Sequence, residues 1–263
     1  MKGDLAMVGI VIPCWNASEP LEQTLRALGS MPVSIREKLS VAVIDGGSTD
    51  DTLRVVSRHT HVVDHFQSEA DKGVYHAMNK GIHIVNSEWI WFLGAGDLPD
   101  GDGLKALLEW LNDNPSTAWA HACSVESLSP REPGVPARFR PRWGTALTWR
   151  NTIHHQGLLA PKSWLIKTPF DESLKVLSDY AWLLDQRNLR HDIVCHTNIR
   201  LAQVPGGGLS RSFVPRLYIE EWRMKRPRLA FQHQATHVIW LPLKWAFKQM
   251  SNAFRMFGSS TPQ

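Results

Sequence analysis

Cysteine is scarce in this chain of 263 residues, where only Cys14, Cys123 and Cys195 occur. They lie far apart and form no C-x-x-C pair, which argues against a disulfide framework and against a structural zinc site. A reducing compartment such as the cytosol fits this usage best. Long apolar runs are missing as well. The N-terminal run is short and is broken by Gly9 and Pro13, so we expect a first strand there rather than a signal peptide.

Two nucleotide-binding sequence patterns are also absent. No G-x-G-x-x-G opens the first predicted helix, which excludes a dinucleotide-binding Rossmann domain, and no G-x-x-x-x-G-K-[ST] phosphate loop is present. If the chain binds a diphosphate, another group such as a divalent cation must therefore neutralise its charge. The hydrophobic share of 43% is sufficient for a full core, in one large α/β domain or in one domain with an appendage.

Positive charge is concentrated at the C-terminal end. From Arg211 onward, nine Lys or Arg residues are balanced only by Glu220 and Glu221, and the rest of the chain is net acidic. Residues 238–248 alternate Trp, Leu and Phe with lysines in a run too short and too charged to span a bilayer. This run suits a helix lying in the interface of an anionic membrane, or a helix packed on the body of the protein. No nucleic-acid-binding motif accompanies the charge, so we do not expect a nucleic-acid partner.

The N-terminal part of the chain alternates between short apolar runs and stretches with apolar residues at three- and four-residue steps. This alternation predicts an α/β fold in which helices cover both faces of a mostly parallel sheet. We predict that Ser18 caps the first helix, and that a loop or an edge excursion lies at 127–142. The predicted strands are 8–12, 41–45 and 89–93, and the predicted helices are 18–29, one beginning after 48–50, 71–86 and 104–114.

Polar loops follow three predicted strands, at residues 13–16, 45–48 and 94–97. In open parallel sheets ligands bind at the carboxyl ends of strands, where loops meet the free N–H groups of helix N-termini. Asp97, in the glycine-lined third loop, is the candidate ligand for a divalent cation, although Gly-x-Gly-Asp is also an ordinary turn. The second loop either takes part in the same crevice or only caps the helix that follows.

Four segments resemble, in order and spacing, those of the family 2 glycosyltransferases: PCWN, VIDGGSTDDT, SEADKGVYHAMNKGI and WIWFLGAGDLPD. That family consists of inverting enzymes with the GT-A fold, and the likeness is greatest to bacterial members that build surface polysaccharides. It is strong over residues 7–110 and weaker beyond them. The resemblance implies a GT-A (nucleotide-diphospho-sugar transferase) fold, to which the sequence adds a C-terminal helical tail.

The resemblance also implies which residues bind the donor. Asp45 would contact the nucleotide base, and Asp71 would lie beside the base and ribose. Lys72 with Gly73 would lead into the following helix. The nucleotide-binding set implied in this way is Pro13, Asn16, Asp45, Asp71, Lys72 and Gly73.

Asp97 would match the last carboxylate of the family's D-x-D-type metal motif, which implies Mg²⁺ or Mn²⁺ as cofactor. This chain has Gly94 and Gly96 where relatives often have carboxylates, so Asp97 would be the only protein carboxylate on the metal. Metal affinity would then depend on the phosphate oxygens of the donor.

The second half resembles the acceptor side of the family. His155 and Gln156 match its His-Gln segment and would bind the acceptor. Asp179 lies in the segment that carries the catalytic carboxylate, so the resemblance implies that Asp179 is the base that deprotonates the acceptor hydroxyl. His155 is the rival base, and the alternative for Asp179 is a plain surface residue near a helix N-terminus. Residues 206–211 resemble a glycine-rich turn that orders over the donor, or form a plain linker.

The predicted function is therefore metal-assisted, inverting transfer of a hexosyl or N-acetylhexosaminyl group in cell-surface polysaccharide synthesis. The donor would be a UDP- or GDP-linked sugar, the acceptor lipid-linked or a saccharide, and the site of action the cytoplasmic face of the plasma membrane. We expect a donor-binding half at 1–115, an acceptor-binding and catalytic half at 116–210, and a basic, aromatic appendage at 211–263. The alternatives are a sugar-phosphate nucleotidyltransferase and a non-catalytic nucleotide- or membrane-binding relative.

Overall fold

A computed structural model describes residues 6–114, 119–129, 136–206 and 215–234, together with 236 and 243. In this described part, nine strands join in one sheet. The strands are β1 (Ala6–Cys14), β2 (Leu39–Asp45), β3 (His65–Ser68), β4 (Ser87–Phe92), β5 (Leu98–Pro99), β6 (Ala120–Ser127), β7 (Arg138–Phe139), β8 (Leu158–Pro161) and β9 (Ile193–Val204). The helices are α1 (Ser18–Gly29), α2 (Val33–Arg36), α3 (Thr52–Arg58), α4 (Val74–Ile84), α5 (Gly101–Asp113), α6 (Lys162–Lys167), α7 (Ser178–Asn188) and α8 (Pro215–Lys225).

The sheet has the strand order β3-β2-β1-β4-β8-β6-β9-β5, and β7 pairs with β6. β1 is central to the N-terminal half, where it pairs in parallel with β2 and with β4. The long pairings are parallel, β6 with β9 included, while β8 runs antiparallel between β4 and β6. The predicted α/β fold with a mostly parallel sheet is therefore confirmed.

Alternate residues of β1 contribute to two separate cores. Ile10 packs in a cluster that includes Leu21 of α1 and Leu107 of α5. Val11 belongs to another cluster, which includes Met78 of α4. A strand whose successive side chains are all buried needs a helical layer on each face of the sheet. Because β1, β2 and β4 are parallel neighbours, their carboxyl ends lie at the same edge, between these two layers.

The helix predicted over 71–86 is shorter than expected, because α4 begins only at Val74. Gly73 precedes it with φ of 137°, a conformation that glycine adopts readily and other residues rarely adopt, so the chain turns there instead of continuing a helix. At the other end, Val85 is extended. Val74 is 38% exposed, so the buried face of α4 starts at Tyr75.

The predicted capping of α1 by Ser18 is wrong. Ala17 occupies the cap position, and the N–H group of Ser18 donates instead to the Asp50 carboxylate at 3.2 Å. Asp50 also accepts the N–H of Thr52, the first residue of α3, at 3.0 Å. A single carboxylate thus serves the N-termini of two neighbouring helices and ties the first two strand-end loops together.

The described part of the C-terminal region packs on the body of the protein. Met224 of α8 and Leu229 just after it are buried in the same core cluster as residues of α7. Lys225 and Glu221, both buried, form an ion pair at 2.8 Å. The apolar contacts fix α8 beside α7, while the ion pair lies within α8.

Most of two predicted features lies outside the described residues, namely the helix at 238–248 and the glycine-rich turn at 206–211. Among the helices of the described residues, none is long and apolar enough to cross a membrane. Of the basic tail, the structure therefore describes mainly α8 and residues 226–234.

Candidate active site

The first wall of the site follows β1. The strand runs through Pro13 and Cys14, so these two are buried strand residues instead of the loop residues that we expected. Trp15 follows, with 67% of its surface exposed. Asn16 takes a left-handed φ of 46°, and its side-chain oxygen accepts the N–H of Thr49 at 2.8 Å. The loop after β1 is thereby fixed on the loop after β2.

Asp45 ends β2 and is fully buried. One carboxylate oxygen accepts the N–H groups of Gly47 and Ser48 at 3.1 and 3.0 Å and the hydroxyl of Ser68 at 2.6 Å. Burial acts to raise the pKa of Asp45, but the hydrogen bonds from Ser48 and Ser68 outweigh it and hold the pKa below its ordinary value. The carboxylate therefore stabilises the conformation of the loop that follows it. Its contact with a nucleotide base stays a prediction.

Asp71 lies in the loop between β3 and α4. Its carboxylate forms an ion pair with Lys80 and contacts Nδ1 of His76 at 3.1 Å, and both partners belong to α4. Gly46 separates this carboxylate from Trp15, since an added Cβ would lie 3.3 Å from Asp71 Oδ2 and 3.5 Å from the Trp15 side chain. Trp15, Gly46 and Asp71 therefore lie side by side, and we call these three residues the nucleotide wall, after the nucleotide contact that was predicted for Asp71.

Lys72 and Gly73 connect the nucleotide wall to the second half of the chain. Lys72 is exposed, and its backbone oxygen accepts the Lys175 ammonium at 3.1 Å. After the turn at Gly73, the Tyr75 hydroxyl donates to the backbone oxygen of Val176 at 2.7 Å. The loop before α4 and the segment before α7 are thus held together by two hydrogen bonds.

Asp97 lies between β4 and β5 and is only 4% exposed. Its Oδ2 accepts the N–H of Gly94 at 2.6 Å. Thr24 of α1 clamps the loop, because its hydroxyl donates to the backbone oxygen of Asp97 at 2.8 Å and accepts the N–H of Gly96 at 2.9 Å. Burial raises the pKa of the Asp97 carboxyl, while the nearby His155 and the Gly94 N–H act in the opposite direction.

Gln156 lies in a short 3-10 helix that leads into β8. Gly157 allows this short helix to lie close to β6, because a Cβ added at Gly157 would collide with the backbone oxygen of Cys123 in β6. The indole N–H of Trp91 in β4 donates to the backbone oxygen of Gln156 at 2.8 Å. The Gln156 side chain also acts to lower the pKa of the Asp97 carboxyl, so a predicted acceptor residue lies near the predicted metal residue.

Asp179 lies in the first turn of α7 and contacts three groups. Nδ1 of His155 is 3.1 Å from its Oδ2, and its Oδ1 accepts the Tyr180 N–H at 2.8 Å and faces the Tyr75 hydroxyl at 3.2 Å. Burial acts to raise the pKa of Asp179, but the hydrogen bond and charge of His155 outweigh it and lower the pKa. For His155, burial acts to lower the pKa, and the carboxylates of Asp179 and Asp97 more than compensate and raise it.

The structure therefore brings together side chains that the sequence places far apart. Asp97, Gln156, His155 and Asp179 lie near one another, and we call these four residues the carboxylate cluster. The nucleotide wall is linked to it through the helix that carries Tyr75.

A family model, Glycosyl transferase family 2, matches residues 9–173, more than half of the chain. The chain belongs to this family. The match includes the nucleotide wall, Asp97, His155 and Gln156, and it ends a few residues before Asp179.

The chain is also similar to curated proteins. A chondroitin synthase of Escherichia coli is 24% identical over 185 residues, which are 68% of this family 2 chain and 26% of that protein. The chain thus spans about a quarter of the length of that relative.

Two solved structures share the fold. S. aureus TarS, in a fragment complexed with UDP-GlcNAc, has a TM-score of 0.67 at 15% identity, covering 88% of this chain and 70% of the fragment. The mannosyltransferase PcManGT of Pyrobaculum calidifontis, in complex with GDP-Man and Mn²⁺, has a TM-score of 0.63 at 20% identity. It covers 100% of this chain, with 78% of its own length matched. The fold of this family 2 chain is therefore the GT-A fold.

Several residues that build the site were not singled out for it by the sequence. Thr24 lies on a regular helix, and only its contacts with a loop more than 70 residues away reveal its role. The contact made by the Tyr75 hydroxyl was similarly hidden, because its partner Val176 lies 101 residues further along the chain. Trp15 had a visible signal, since it stands directly before Asn16 at the end of an apolar strand.

Proposed function

We propose that this family 2 chain transfers a sugar from a nucleoside-diphosphate donor to an acceptor hydroxyl, with inversion at the anomeric carbon. The observation that carries the proposal is the 3.1 Å contact between His155 and Asp179, next to the buried Asp97. In this proposal residues 1–115 bind the donor, residues 116–210 bind the acceptor and catalyse transfer, and residues 211–263 form a basic, aromatic appendage.

The nucleotide wall is proposed to hold the nucleoside of the donor. The exposed indole of Trp15 offers a flat apolar face to a base, and the Asp71 carboxylate offers acceptor oxygens to ribose hydroxyls. Lys72 is exposed next to Asp71 and supplies a positive charge for the diphosphate. TarS and PcManGT were solved with UDP-GlcNAc and GDP-Man. UDP- and GDP-linked hexoses and N-acetylhexosamines are therefore the donors that we propose.

Four further residues are proposed to act on the nucleotide through the shape of the loops. Asn16 fixes the first loop on the second through its hydrogen bond with Thr49. The Asp45 carboxylate fixes the second loop by accepting the N–H groups of Gly47 and Ser48. Pro13, the last residue but one of β1, and Gly73, directly before α4, are proposed to set the direction of the chain on either side of the nucleotide wall.

Asp97 is proposed to hold Mg²⁺ or Mn²⁺ together with the donor diphosphate. No group of three His, Cys, Asp or Glu side chains that could hold a metal ion occurs within the described ranges. A single carboxylate fits such a cation only when phosphate oxygens and water complete the ligand set. When bound, the cation would neutralise charge that develops on the departing diphosphate. The proposal is consistent with the Mn²⁺ in the PcManGT complex.

Asp179 is proposed to be the base, and His155 its positioning partner. The lowered pKa of Asp179 keeps the carboxylate ionised and able to accept a proton. The raised pKa of His155 favours the imidazolium form, which cannot accept one. In the transfer step the acceptor oxygen bonds to the anomeric carbon as the bond from that carbon to the diphosphate breaks. The hydroxyl proton passes to Asp179, and the nucleoside diphosphate leaves with the bonding electrons.

Gln156 and His155 are proposed to line the acceptor side of this centre. The side-chain oxygen Oε1 of Gln156 is buried and has no hydrogen-bond partner among the described residues. A buried amide oxygen without a partner is costly, so this atom suits a hydroxyl of a bound saccharide. The relative that makes chondroitin is a polysaccharide synthase by name, and we propose a lipid-linked or saccharide acceptor in surface-polysaccharide synthesis.

The outer face of α8 is proposed to contact an anionic membrane surface at the cytoplasmic side. Three residues of α8, Arg216, Ile219 and Arg223, recur at three- and four-residue steps with Arg226 in the turn directly after the helix, and all four are exposed. We call these four residues the arginine stripe. Phe231, which follows it in the chain, is 83% exposed. Cationic and apolar side chains on one helix face suit peripheral attachment to anionic lipid, close to lipid-linked acceptors.

The proposed activity is tested with a panel of UDP- and GDP-sugars and Mn²⁺. We expect the protein to release nucleoside diphosphate slowly from one donor with water as acceptor, and proton NMR to show the inverted anomer first. Initial retention of configuration would contradict the proposal. Formation of a nucleoside triphosphate and a sugar phosphate on adding pyrophosphate would indicate a nucleotidyltransferase. Nucleotide binding without any turnover would indicate a non-catalytic relative.

A further inference from the structure

Three consecutive backbone N–H groups before α7 converge on one carboxylate. Glu220 Oε1 accepts the N–H groups of Lys175, Val176 and Leu177 at 3.1, 2.7 and 2.8 Å. Glu220 belongs to α8, more than 40 residues further along the chain. Successive N–H groups that point into one concavity bind anionic oxygens well, and bonds to a charged acceptor are stronger than neutral ones.

The segment held in this way touches several parts of the proposed site. Val176 accepts the Tyr75 hydroxyl through its backbone oxygen at 2.7 Å, and the Lys175 ammonium donates to the backbone oxygen of Lys72 at 3.1 Å. Leu177 is the cap residue of α7, which carries Asp179 in its first turn, and no side chain of its own caps that helix. Residues 175–177 therefore connect the donor loop, α4 and the proposed base.

The helix that presents Glu220 is itself firmly attached. Lys225 of this helix is buried and donates to the backbone oxygen of Trp149, outside the helix, at 3.1 Å. Arg228, just after the helix, donates to Asp185 of α7 at 2.9 Å. A carboxylate on such an anchored helix can hold a neighbouring segment in one position, whereas a carboxylate on a mobile helix could not.

We propose that Glu220 is a positioning residue for sugar transfer. By accepting the three N–H groups of residues 175–177, it sets the position of Asp179 relative to Tyr75 and to the donor loop. This inference rests on the proposed function, in which Asp179 takes the acceptor proton. Small displacements of a catalytic group lower the rate far more than they lower binding.

The test compares Glu220→Ala and Glu220→Gln with wild type and with Glu109→Ala, which removes an exposed glutamate from α5. The probe is whichever UDP- or GDP-sugar the panel selects, with Mn²⁺ and water as acceptor. We expect Glu220→Ala to lower kcat roughly tenfold or more and to change the KM for the donor by less than about threefold. Glutamine keeps an acceptor oxygen, so Glu220→Gln should recover most of the rate. Glu109→Ala should match wild type.

Amide hydrogen exchange supplies a readout that does not depend on turnover. Val176 and Leu177 should lose protection in Glu220→Ala and regain much of it in Glu220→Gln. Wild-type kcat in a folded Glu220→Ala would overturn the inference. An equal loss of kcat in Glu220→Ala and Glu220→Gln would also overturn it, because the acceptor oxygen that glutamine keeps would then have no effect on the rate. If Asp179→Asn keeps full activity, the proposed function fails instead, whatever Glu220 does.

Discussion

Nδ1 of His155 lies 3.1 Å from Oδ2 of Asp179, a contact between the turn before β8 and the first turn of α7. Against the effect of burial, this contact raises the pKa of His155 from 6.5 and lowers that of Asp179 from 3.8. The stabilisation that comes from protonated His155 is therefore complete below about pH 6.5 and is lost as the pH rises through its folded-state pKa. The contribution of Asp179 is present above about pH 3.8 and is lost as the pH falls through its own folded-state pKa.

We expect His155→Gln to remove a pH-dependent part of the stability. Wild type should lose more of its Tm than the variant as the pH rises from about 6 to about 8, since only wild type loses an ion pair there. Asp97 faces the same imidazole, so its charge adds to the effect. Calorimetric scans at closely spaced pH values measure the two slopes. Parallel Tm curves for the two proteins would show that the contact is not ionic.

Replacement of Asp97 tests the metal. Asn at this position keeps an oxygen for the Gly94 N–H and so preserves the loop, but it removes the negative charge. We expect Mn²⁺ to tighten the binding of UDP or GDP to wild type by about tenfold and to have little effect on Asp97→Asn. Titration calorimetry with Mn²⁺ or with EDTA measures the difference. An unchanged Mn²⁺ effect in the variant would place the cation elsewhere.

Trp15 tests the nucleotide wall. Because the indole is 67% exposed, Trp15→Ala should change the Tm little. The loss of a stacking face should raise the Kd for UDP or GDP by about tenfold, while Trp15→Phe should retain most of the affinity. Trp119, an indole that is 41% exposed and belongs to neither the nucleotide wall nor the carboxylate cluster, provides the control through Trp119→Ala. Equal affinities for Trp15→Ala and wild type would remove Trp15 from the site.

The arginine stripe tests the membrane contact. We expect the full chain to float with vesicles of phosphatidylglycerol and not with vesicles of phosphatidylcholine, because each basic residue gains about 1 kcal/mol near an anionic surface. Replacing Arg216, Arg223 and Arg226 together by Glu should abolish flotation and leave hydrolysis of the soluble donor intact. Flotation that survives this reversal of charge would move the contact to another part of the tail.

Much of the fold could be predicted from local patterns. The apolar run of β2 and the four leucines of α5 were sufficient to place those elements, because both patterns bury one continuous set of side chains. The start of α4 was misjudged since the conformation of Gly73 depends on the turn around it. The insertion of β8 antiparallel between β4 and β6 was not predictable, because strand order is decided by long-range packing.

Most candidate site residues came from the family resemblance, which supplied His155, Gln156 and Asp179. Asp97 was already indicated by its glycine-lined loop at a strand end, and the fold brings these four residues together. It could not show that Asp45 is fully buried under hydrogen bonds from its own loop, nor that Glu220 reaches back to residues 175–177. Both depend on how distant segments meet, which no spacing along the chain records.

The most direct test of the central claim is the rate at which Asp179→Asn releases nucleoside diphosphate from the donor that wild type hydrolyses. Asn has nearly the same shape and keeps an oxygen for the Tyr180 N–H, but it cannot take up a proton. We predict that release falls by at least about a hundredfold, while the Kd for UDP or GDP stays within about twofold of wild type. Release at the wild-type rate by folded Asp179→Asn would contradict the account.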